Sequence, residues 1–414
     1  MAEERRCPED LPMWGEKKTS VPEVRAFLDA LGAPDRAFRV IHVAGTNGKG
    51  SVCAYLTSAL RRAGYRVGTF VSPHLVDIRE RILIDGEMVS AEAFRAAAET
   101  VRQCGETVKR VGGNFPAYFE YLYYMAMLLF REAGCDIVVL ETGLGGRLDA
   151  TNSCHPCLTV LTSISLDHMQ YLGDTVEKIA AEKAGIIKKN VPVVYLADQP
   201  SVRAVIEAKA QEMQAAAYPV APDPADARFA FLPAAYQREN AALAAKAFQV
   251  FATGERGEAR AHCEAVAFPE AVRATVWTGR MQEIYSDVFL DGAHNADGVL
   301  RMAEAGAELA RQRHKRPLLL TSSVQDKELS VIAETFVKVL QPARIYLAPL
   351  HTSRRTEVRA LSDIYRKAGA AEVQTSASVG EAFRLARSGQ ADDEILLIAG
   401  SLYLVGEILA EECK

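Results

Sequence analysis

A glycine-rich segment near the N-terminus carries the residue types that bind phosphate. Its members are Gly45, Thr46, Asn47, Gly48, Lys49, Gly50 and Ser51. Glycines let a backbone turn sharply and approach an oxyanion closely, and a lysine in such a loop reaches the β- and γ-phosphates of a nucleotide. In the usual pattern a Ser or Thr directly follows the lysine, whereas here Gly50 intervenes. We predict a variant nucleoside triphosphate site, with a purely structural glycine turn as the alternative.

The residues on either side of this loop predict the elements that position it. Arg39–Ala44 is a β-rich apolar run, and Val52, Leu56 and Leu60 follow the loop at helical spacing. The order is therefore strand, loop and helix. Free N–H groups at the helix N-terminus then point towards a bound phosphate.

Two further apolar strands end in polar residues. Asp136–Leu140 leads to Glu141, and Leu158–Ile164 leads to Asp167 and His168. Ligands of open parallel sheets bind at the carboxyl ends of the strands, so we expect these residues at the same edge as the phosphate loop. Glu141 suits a nucleotide-bound metal. For His168 we favour a ligand role over a structural one.

Lys183 falls on the apolar face of a predicted helix. Asp174–Glu177 has the capping-box spacing that begins such a helix. A buried ammonium is costly, so such a lysine tends to lose its charge or find a partner. A neutral amine could add carbon dioxide and become a carbamate. The alternative is a lysine whose stem is buried while its head reaches solvent.

Composition and charge restrict the function. A chain of 414 residues exceeds one ordinary core, so we expect two domains. The net charge of -5 gives no basic surface for nucleic acid or an anionic membrane. The apolar run Tyr121–Phe130 is too short for a bilayer, and the N-terminus lacks an apolar signal core. We predict a cytoplasmic protein without nucleic-acid or membrane partners.

The cysteines carry no clear chemistry. Eight are scattered along the chain without the spacing of a disulfide framework. Cys154 and Cys157 form a C-x-x-C pair, but no second pair completes a zinc site. We interpret the cysteines as ordinary buried thiols.

Composition changes at Trp277–Arg280, and we place a domain boundary after residue 277. Residues 1–277 are predicted to form a P-loop ATPase domain with a parallel sheet. Residues 278–414 are predicted to form a smaller Rossmann-like α/β domain. The remaining predicted elements are helices at 21–31, 91–110 and 117–133, strands at 66–71, 191–196, 284–290, 317–321, 345–348 and 395–399, and a charged connection at 77–86.

Taken in order, these and further motifs resemble those of the folylpolyglutamate synthase/dihydrofolate synthase family within the Mur ligase superfamily. The resemblance covers nearly all of residues 40–414. The matching segments are Gly45–Ser51, Ser72–Leu75, Glu80–Ile82, Glu141–Asn152, Glu182–Ile186, Asp291–Asn295 and Gly400–Tyr403.

The resemblance implies an ATP-dependent ligase that adds L-glutamate to a folate through an acyl phosphate. It implies ATP and Mg2+ as cofactors, with two magnesium sites, and a monomer whose partners are small molecules. It also implies Lys49, Lys183 and His294 as catalytic residues, with Lys183 carbamylated. Ser72 and Glu141 would bind the first magnesium and His168 the second. The implied nucleotide contacts beyond the loop are Asn240, Arg280 and Asp291, and the implied substrate contacts are His294, Ser401, Arg147 and Asp149.

Two segments depart from the family pattern. Ala296 stands where proline is common, which loosens only a helix start. Trp14–Ser20 replaces an apolar segment that in bifunctional members helps to bind dihydropteroate. We therefore predict folylpolyglutamate synthase activity and leave acceptance of dihydropteroate open.

Two other functions compete with this one. A Mur ligase acting on a nucleotide-sugar peptide needs a substrate domain before the loop, and we expect none because only 44 residues precede Gly45. An ATP-binding switch or scaffold is the other alternative. Such a protein would not need Arg280, Asp291 and His294.

Overall fold

The computed structural model describes residues 19–223, 225–325 and 328–412. Most of Trp14–Ser20, the segment that departs from the family pattern, therefore lies outside the described residues. The chain forms two compact units. The N-terminal unit comprises the described residues up to Phe229 and the segment Glu239–Thr275. The C-terminal unit comprises Ala230–Arg238 and the described residues from Val276 onward.

The N-terminal unit is built from strands that alternate with helices. Its strands are β1 (Arg39–Ala44), β2 (Val67–Phe70), β3 (Ile82–Ile84), β4 (Glu87–Met88), β5 (Ile137–Glu141), β6 (Leu158–Leu161), β7 (Val193–Leu196) and β8 (Ala217–Val220). Its helices are α1 (Val21–Ala30), α2 (Lys49–Arg62), α3 (Ala91–Arg110), α4 (Tyr118–Glu132), α5 (Met169–Leu172), α6 (Val176–Ala184), α7 (Pro200–Glu212), α9 (Gly257–Glu264) and α10 (Phe268–Arg273), together with most of α8 (Ala235–Gly254).

The sheet of this unit places the predicted polar residues together at the carboxyl ends of its parallel strands. Within the described residues its order is β4-β3-β2-β5-β1-β6-β7-β8. β2, β5, β1 and β6 run parallel and are neighbours, with Val43 of β1 paired to both Glu141 and Val160. The loops that follow these four strands therefore leave the sheet side by side. They carry Ser72, the residues after Glu141, the phosphate loop and His168.

Helix α4 explains the apolar run noted in the sequence. All residues of Tyr121–Phe130 are buried, and Phe27 of α1 stacks on Tyr124 with ring centroids 4.2 Å apart. A helix that is apolar on all sides must be enclosed by protein or lipid. No helix among the described residues is both long and apolar enough to cross a membrane.

The C-terminal unit contains a second α/β sheet. Its elements are β9 (Gln282–Tyr285), β10 (Val288–Leu290), α11 (Ala296–Gln312), β11 (Arg316–Thr321), α12 (Leu329–Thr335), β12 (Arg344–Leu347), α13 (Val358–Lys367), β13 (Val373–Thr375), α14 (Val379–Ser388), β14 (Glu394–Ala399) and α15 (Leu402–Glu412). In the part of the chain that the structure covers, the strand order is β13-β12-β11-β14-β10-β9. All pairs are parallel except β9 with β10. The α/β fold class is confirmed.

Three local predictions were wrong. Residues 284–290 form a hairpin rather than one strand, because the chain turns at Ser286 and Asp287, where Asp287 has φ 59°. The predicted connection at 77–86 instead contains a 3₁₀ turn, Ile78–Arg81, and strand β3. Helix α6 is capped by Thr175 rather than Asp174, since the Thr175 hydroxyl accepts the Lys178 N–H.

Candidate active site

The phosphate loop is held by the segment that follows β6. The Thr46 N–H donates to the Ser163 carbonyl at 2.7 Å, and the Thr162 hydroxyl donates to the Asn47 carbonyl at 2.7 Å. The sequence had predicted strand as far as Ile164, but β6 ends at Leu161 and the next residues bind the loop instead. These bonds fix the loop before any ligand arrives.

Gly48 caps helix α2 in a conformation that favours glycine. Its φ is 87°, and a Cβ there would lie 2.2 Å from Oδ1 of Asn240. The amide of Asn240, on α8, therefore lies directly against the loop. The structure thus brings this predicted nucleotide contact to the phosphate loop, although almost 200 residues separate them.

Lys49, Glu141 and Ser72 come together beside the loop. Nζ of Lys49 donates to the Thr46 carbonyl at 3.0 Å and lies 3.9 Å from Oε1 of Glu141. The backbone N–H of Ser72 donates to Oε2 of the same carboxylate at 3.2 Å. The Glu141 side chain is only 3% exposed. A buried carboxylate between a cation and a serine loop is suited to a magnesium ion that also binds phosphate oxygens.

The buried hydroxyl of Ser51 favours a ligand bound at the phosphate loop. Its hydroxyl is buried at the start of α2 and has no hydrogen-bond partner in the part of the chain that the structure describes. Buried polar atoms are normally paired, so such an atom calls for an explanation. Among the described residues no group of three or more His, Cys, Asp or Glu side chains could hold a metal by itself. Mg2+ uses few protein ligands and keeps waters or phosphates in its coordination shell.

The whole side chain of Lys183, including its terminal nitrogen, is buried. The side chain is 4% exposed and Nζ donates to the Gly45 carbonyl at 2.8 Å. The head therefore does not reach solvent, which removes the alternative of a lysine with a solvated ammonium. Burial, followed by the charge of Lys49, lowers the pKa of Lys183 to about 7. A large share of the amine is thus neutral near pH 7, which is the form that adds carbon dioxide.

His168 lies in the loop after β6. It has φ 50° and a side chain that is 42% exposed, with Nε2 3.9 Å from Oδ2 of Asp167. Its strand neighbours β1, so the residue lies at the edge of the sheet that carries the phosphate loop.

Asp149 shapes the loop that follows β5. Oδ2 accepts the N–H groups of Gly143 and Leu144, and Oδ1 accepts the N–H and the hydroxyl of Thr151. Burial raises the pKa of this carboxyl. Its neighbour Arg147 has an exposed guanidinium whose Nη2 donates to Glu182 at 2.7 Å. Asp149 therefore orders the loop, and Arg147 is on its accessible side.

Asp291 is the centre of the second group of predicted residues, in the C-terminal unit. Its carboxylate accepts the Tyr236 hydroxyl at 2.6 Å and the N–H groups of Met281 and Ala293 at 2.8 Å each. Burial raises its pKa, and the charge of Arg280 opposes that change. The Arg280 guanidinium lies against Gly292, where a Cβ would be 2.1 Å from Nη1.

His294 and Ser401 lie on adjoining loops of this unit. The Gly400 N–H donates to the Ala293 carbonyl at 2.9 Å, which joins the two loops. Nδ1 of His294 is 2.8 Å from the Gly292 carbonyl. A carbonyl only accepts, so Nδ1 carries the proton and Nε2 is the basic nitrogen of the neutral ring. The Ser401 hydroxyl accepts the Tyr403 N–H at 3.2 Å. Next to His294, α11 begins at Ala296 with Asn295 as its cap.

Sequence reasoning missed two residues that hold these groups. Tyr236 binds Asp291 from 55 positions away, and no local pattern marks it. Thr162 binds the phosphate loop, and its place just after a predicted strand end was the available signal. The cysteine interpretation holds for Cys154, which is free and buried, whereas Cys157 is free but only partly buried.

Comparison with known sequences identifies relatives over most of the chain. The family model of the Mur ligase middle domain matches residues 87–296. A dihydrofolate synthase/folylpolyglutamate synthase of Bacillus subtilis (strain 168) is 34% identical over 417 residues, which cover 94% of this chain and 94% of the relative.

Solved structures show the same similarity. A folylpolyglutamate synthase of Mycobacterium tuberculosis, complexed with ADP and AMPPCP, matches with a TM-score of 0.83 and 27% identity over 95% of this chain and 96% of that one. A bifunctional folylpolyglutamate synthase/dihydrofolate synthase of Yersinia pestis c092, complexed with AMPPNP and a Mn ion, matches with a TM-score of 0.81 and 25% identity. It covers 100% of this chain and 97% of the other.

Proposed function

We propose that this chain joins L-glutamate to a reduced folate while ATP is converted to ADP and phosphate. The chain belongs to the folylpolyglutamate synthase/dihydrofolate synthase family of Mur-type ligases. The observation that carries the proposal is the buried Glu141 carboxylate, which faces Nζ of Lys49 and the N–H of Ser72 beside the phosphate loop. The relatives complexed with AMPPCP, or with AMPPNP and a Mn ion, support ATP and a divalent cation as ligands of this chain.

The reaction proceeds in two steps. An oxygen of the folate carboxylate attacks the γ-phosphorus, and the bond between that phosphorus and the oxygen bridging it to the β-phosphate breaks. The amine of glutamate then attacks the acyl carbon, the C–O bond to phosphate breaks, and the amine gives up a proton. A carboxylate is a poor electrophile, so the site must align the reactants and neutralise developing negative charge. A magnesium ion held by Ser72 and Glu141 would contribute to that neutralisation.

The N-terminal unit supplies the residues for the first step. The amides of Gly48–Ser51 and Nζ of Lys49 bind the triphosphate, with Asn240 beside them. Ser72 and Glu141 would hold one magnesium ion and His168 a second. A carbamate on Lys183 would add a negative group beside the phosphate loop. Arg147 and Asp149 contribute to binding of the folate substrate.

The C-terminal unit supplies the residues for the second step. Asp291 and Arg280 contribute to nucleotide binding, and Ser401 and His294 act on glutamate. Nε2 of His294 is the nitrogen able to take the proton of the attacking amine. We keep the boundary after residue 277, a monomeric state and a cytoplasmic location as parts of the proposal.

A coupled assay of ADP release tests this function. We expect ADP only when tetrahydrofolate and L-glutamate are both present, together with a product one glutamate heavier by mass spectrometry. Running dihydropteroate in parallel decides whether it is accepted. ATP turnover that is indifferent to glutamate would instead support the ATP-binding switch.

A further inference from the structure

The loop Ser72–Asp77, which we call the serine loop, is held by one carboxylate. Oε2 of Glu80 accepts the Leu75 N–H at 2.7 Å, and Oε1 accepts the N–H groups of Val76 at 2.9 Å and Asp77 at 2.8 Å. Three successive amides therefore converge on one side chain. Hydrogen bonds to an ionised acceptor are stronger than those between neutral groups.

The other parts of the serine loop are fixed by the same turn and by Glu141. Nε of Arg81 donates to Nδ1 of His74 at 2.9 Å, and the Val71 N–H donates to the Arg81 carbonyl at 3.1 Å. The Ser72 N–H donates to Glu141 at 3.2 Å. The loop thus has no regular secondary structure of its own but is tied down at both ends and along its length.

The position of Glu80 indicates more than a stabilising role. The serine loop is partly exposed, so water could satisfy its amides if the carboxylate were absent. The loop would then be free to move, and Ser72 would no longer have a fixed position against Glu141. A ligand side chain must be held by neighbouring hydrogen bonds to bind a metal well.

We propose that Glu80 is a positioning residue that fixes the serine loop, so that Ser72 and Glu141 are prearranged for the magnesium ion bound with the nucleotide. This inference rests on the proposed function for the identity of that ion. The sequence contained a signal for it, because Asp77 and Glu80 have capping-box spacing and the structure contains that box.

The test compares Glu80→Gln with Glu87→Gln. The first change keeps the shape of the side chain but turns an NH2 group towards at least one of the loop N–H groups. Glu87 is an exposed residue of the adjoining strand β4, so its variant is the matched control. Three quantities are measured on the full chain: hydrogen exchange of a peptide covering residues 72–77, the melting temperature, and the affinity for a fluorescent ATP analogue with and without Mg2+.

We expect faster exchange in residues 72–77 of Glu80→Gln and an unchanged affinity for the analogue without metal. The increase in affinity caused by Mg2+ should fall by about tenfold, as is typical when a group that orients a metal ligand is lost. Glu80→Asp, which keeps the charge but has a shorter reach, should give an intermediate loss. Glu87→Gln should behave as the wild type.

Two results would overturn the inference. One is a Mg2+ effect in Glu80→Gln equal to that of Glu87→Gln. The other is a lower melting temperature with the Mg2+ effect retained, which would make Glu80 a merely structural residue. If Glu80→Gln does not fold, the same comparison is made with Glu80→Asp, and a wild-type Mg2+ effect there rejects the inference. Since the binding measurement needs neither folate nor glutamate, it is independent of whether the ligase reaction occurs.

Discussion

Two groups of predicted site residues differ in how their buried polar atoms are paired: Ser51 and Lys183 in the N-terminal unit, and Asp291 in the C-terminal unit. Among the described residues the Ser51 hydroxyl has no partner, and Lys183, whose pKa is lowered to about 7, donates to a backbone carbonyl. In the C-terminal unit, the Asp291 carboxylate already accepts three hydrogen bonds. Incomplete pairing weakens a fold but leaves groups for a ligand to bind, whereas complete pairing stabilises it. Mutations of these two groups of residues should therefore affect activity and stability in opposite proportion.

The largest expected effect is on activity, at Glu141. We expect Glu141→Ala to lower the rate of ADP release by on the order of 10³-fold, since it removes the carboxylate that faces Lys49 and Ser72. The fold should persist, because Lys49 keeps its bond to the Thr46 carbonyl. Steady-state kinetics and circular dichroism measure the two effects. A variant with near wild-type turnover would remove Glu141 from the site.

In the C-terminal unit the larger effect should be on stability. Asp291→Ala leaves the Tyr236 hydroxyl and two backbone N–H groups without their acceptor, and Arg280 without its nearby charge. We expect the free energy of unfolding to fall by about 3 kcal/mol. Urea denaturation followed by fluorescence measures it. Asp297→Ala, which changes a more exposed aspartate of the same unit, is the control, and an equal loss in both variants would contradict the comparison.

The sequence predicted most of what is local in both units. Many of the strands, the phosphate loop and the loops after Leu140 and Leu290 follow from apolar runs that end in glycine or polar residues. Such patterns are set by neighbours in the chain, so they can be recognised in one sequence. The common location of these loops was also predictable from the sequence, because parallel strands place their carboxyl ends together.

Long-range pairing was not predictable in the same way. The contact of Asn240 with Gly48 and the bond of Tyr236 to Asp291 depend on where whole elements pack. The hairpin at Asp287 was missed for a related reason. Its carboxylate is bound by Arg313 and Lys315, which come after the next helix, so the stretch around it appeared to be one strand.

Lys183 should make stability depend on pH. Its pKa is about 7 in the folded chain, below its ordinary value of 10.5, so the unfolded chain binds more protons between these values. The wild type should therefore gain stability as pH rises through this window, and the penalty of the buried ammonium is complete below pH 7. We expect Lys183→Met to be more stable than the wild type at pH 6, with a difference that shrinks towards pH 10.

Urea denaturation at several pH values, with carbon dioxide removed, tests this dependence. Adding bicarbonate at pH 8 should stabilise only the wild type, and native mass spectrometry should show one added carbon dioxide. A pH profile shared by the wild type and Lys183→Met would show that this amine titrates normally. An unmodified mass in bicarbonate would count against the carbamate.

The smallest stability effect is expected at Ser51. Its buried hydroxyl has no partner within the described ranges, so Ser51→Ala removes an unsatisfied group. The free energy of unfolding should change by less than about 0.5 kcal/mol, or rise. The affinity for Mg-ATP should nevertheless fall by about tenfold, because one hydrogen bond to a charged ligand is lost. Thr57→Ala, on the same helix, is the control: its hydroxyl lies 2.7 Å from that of Thr69, so it should lose stability and keep its affinity. If Ser51→Ala instead lost stability as Thr57→Ala does, the hydroxyl would be part of the fold rather than a group kept for the ligand.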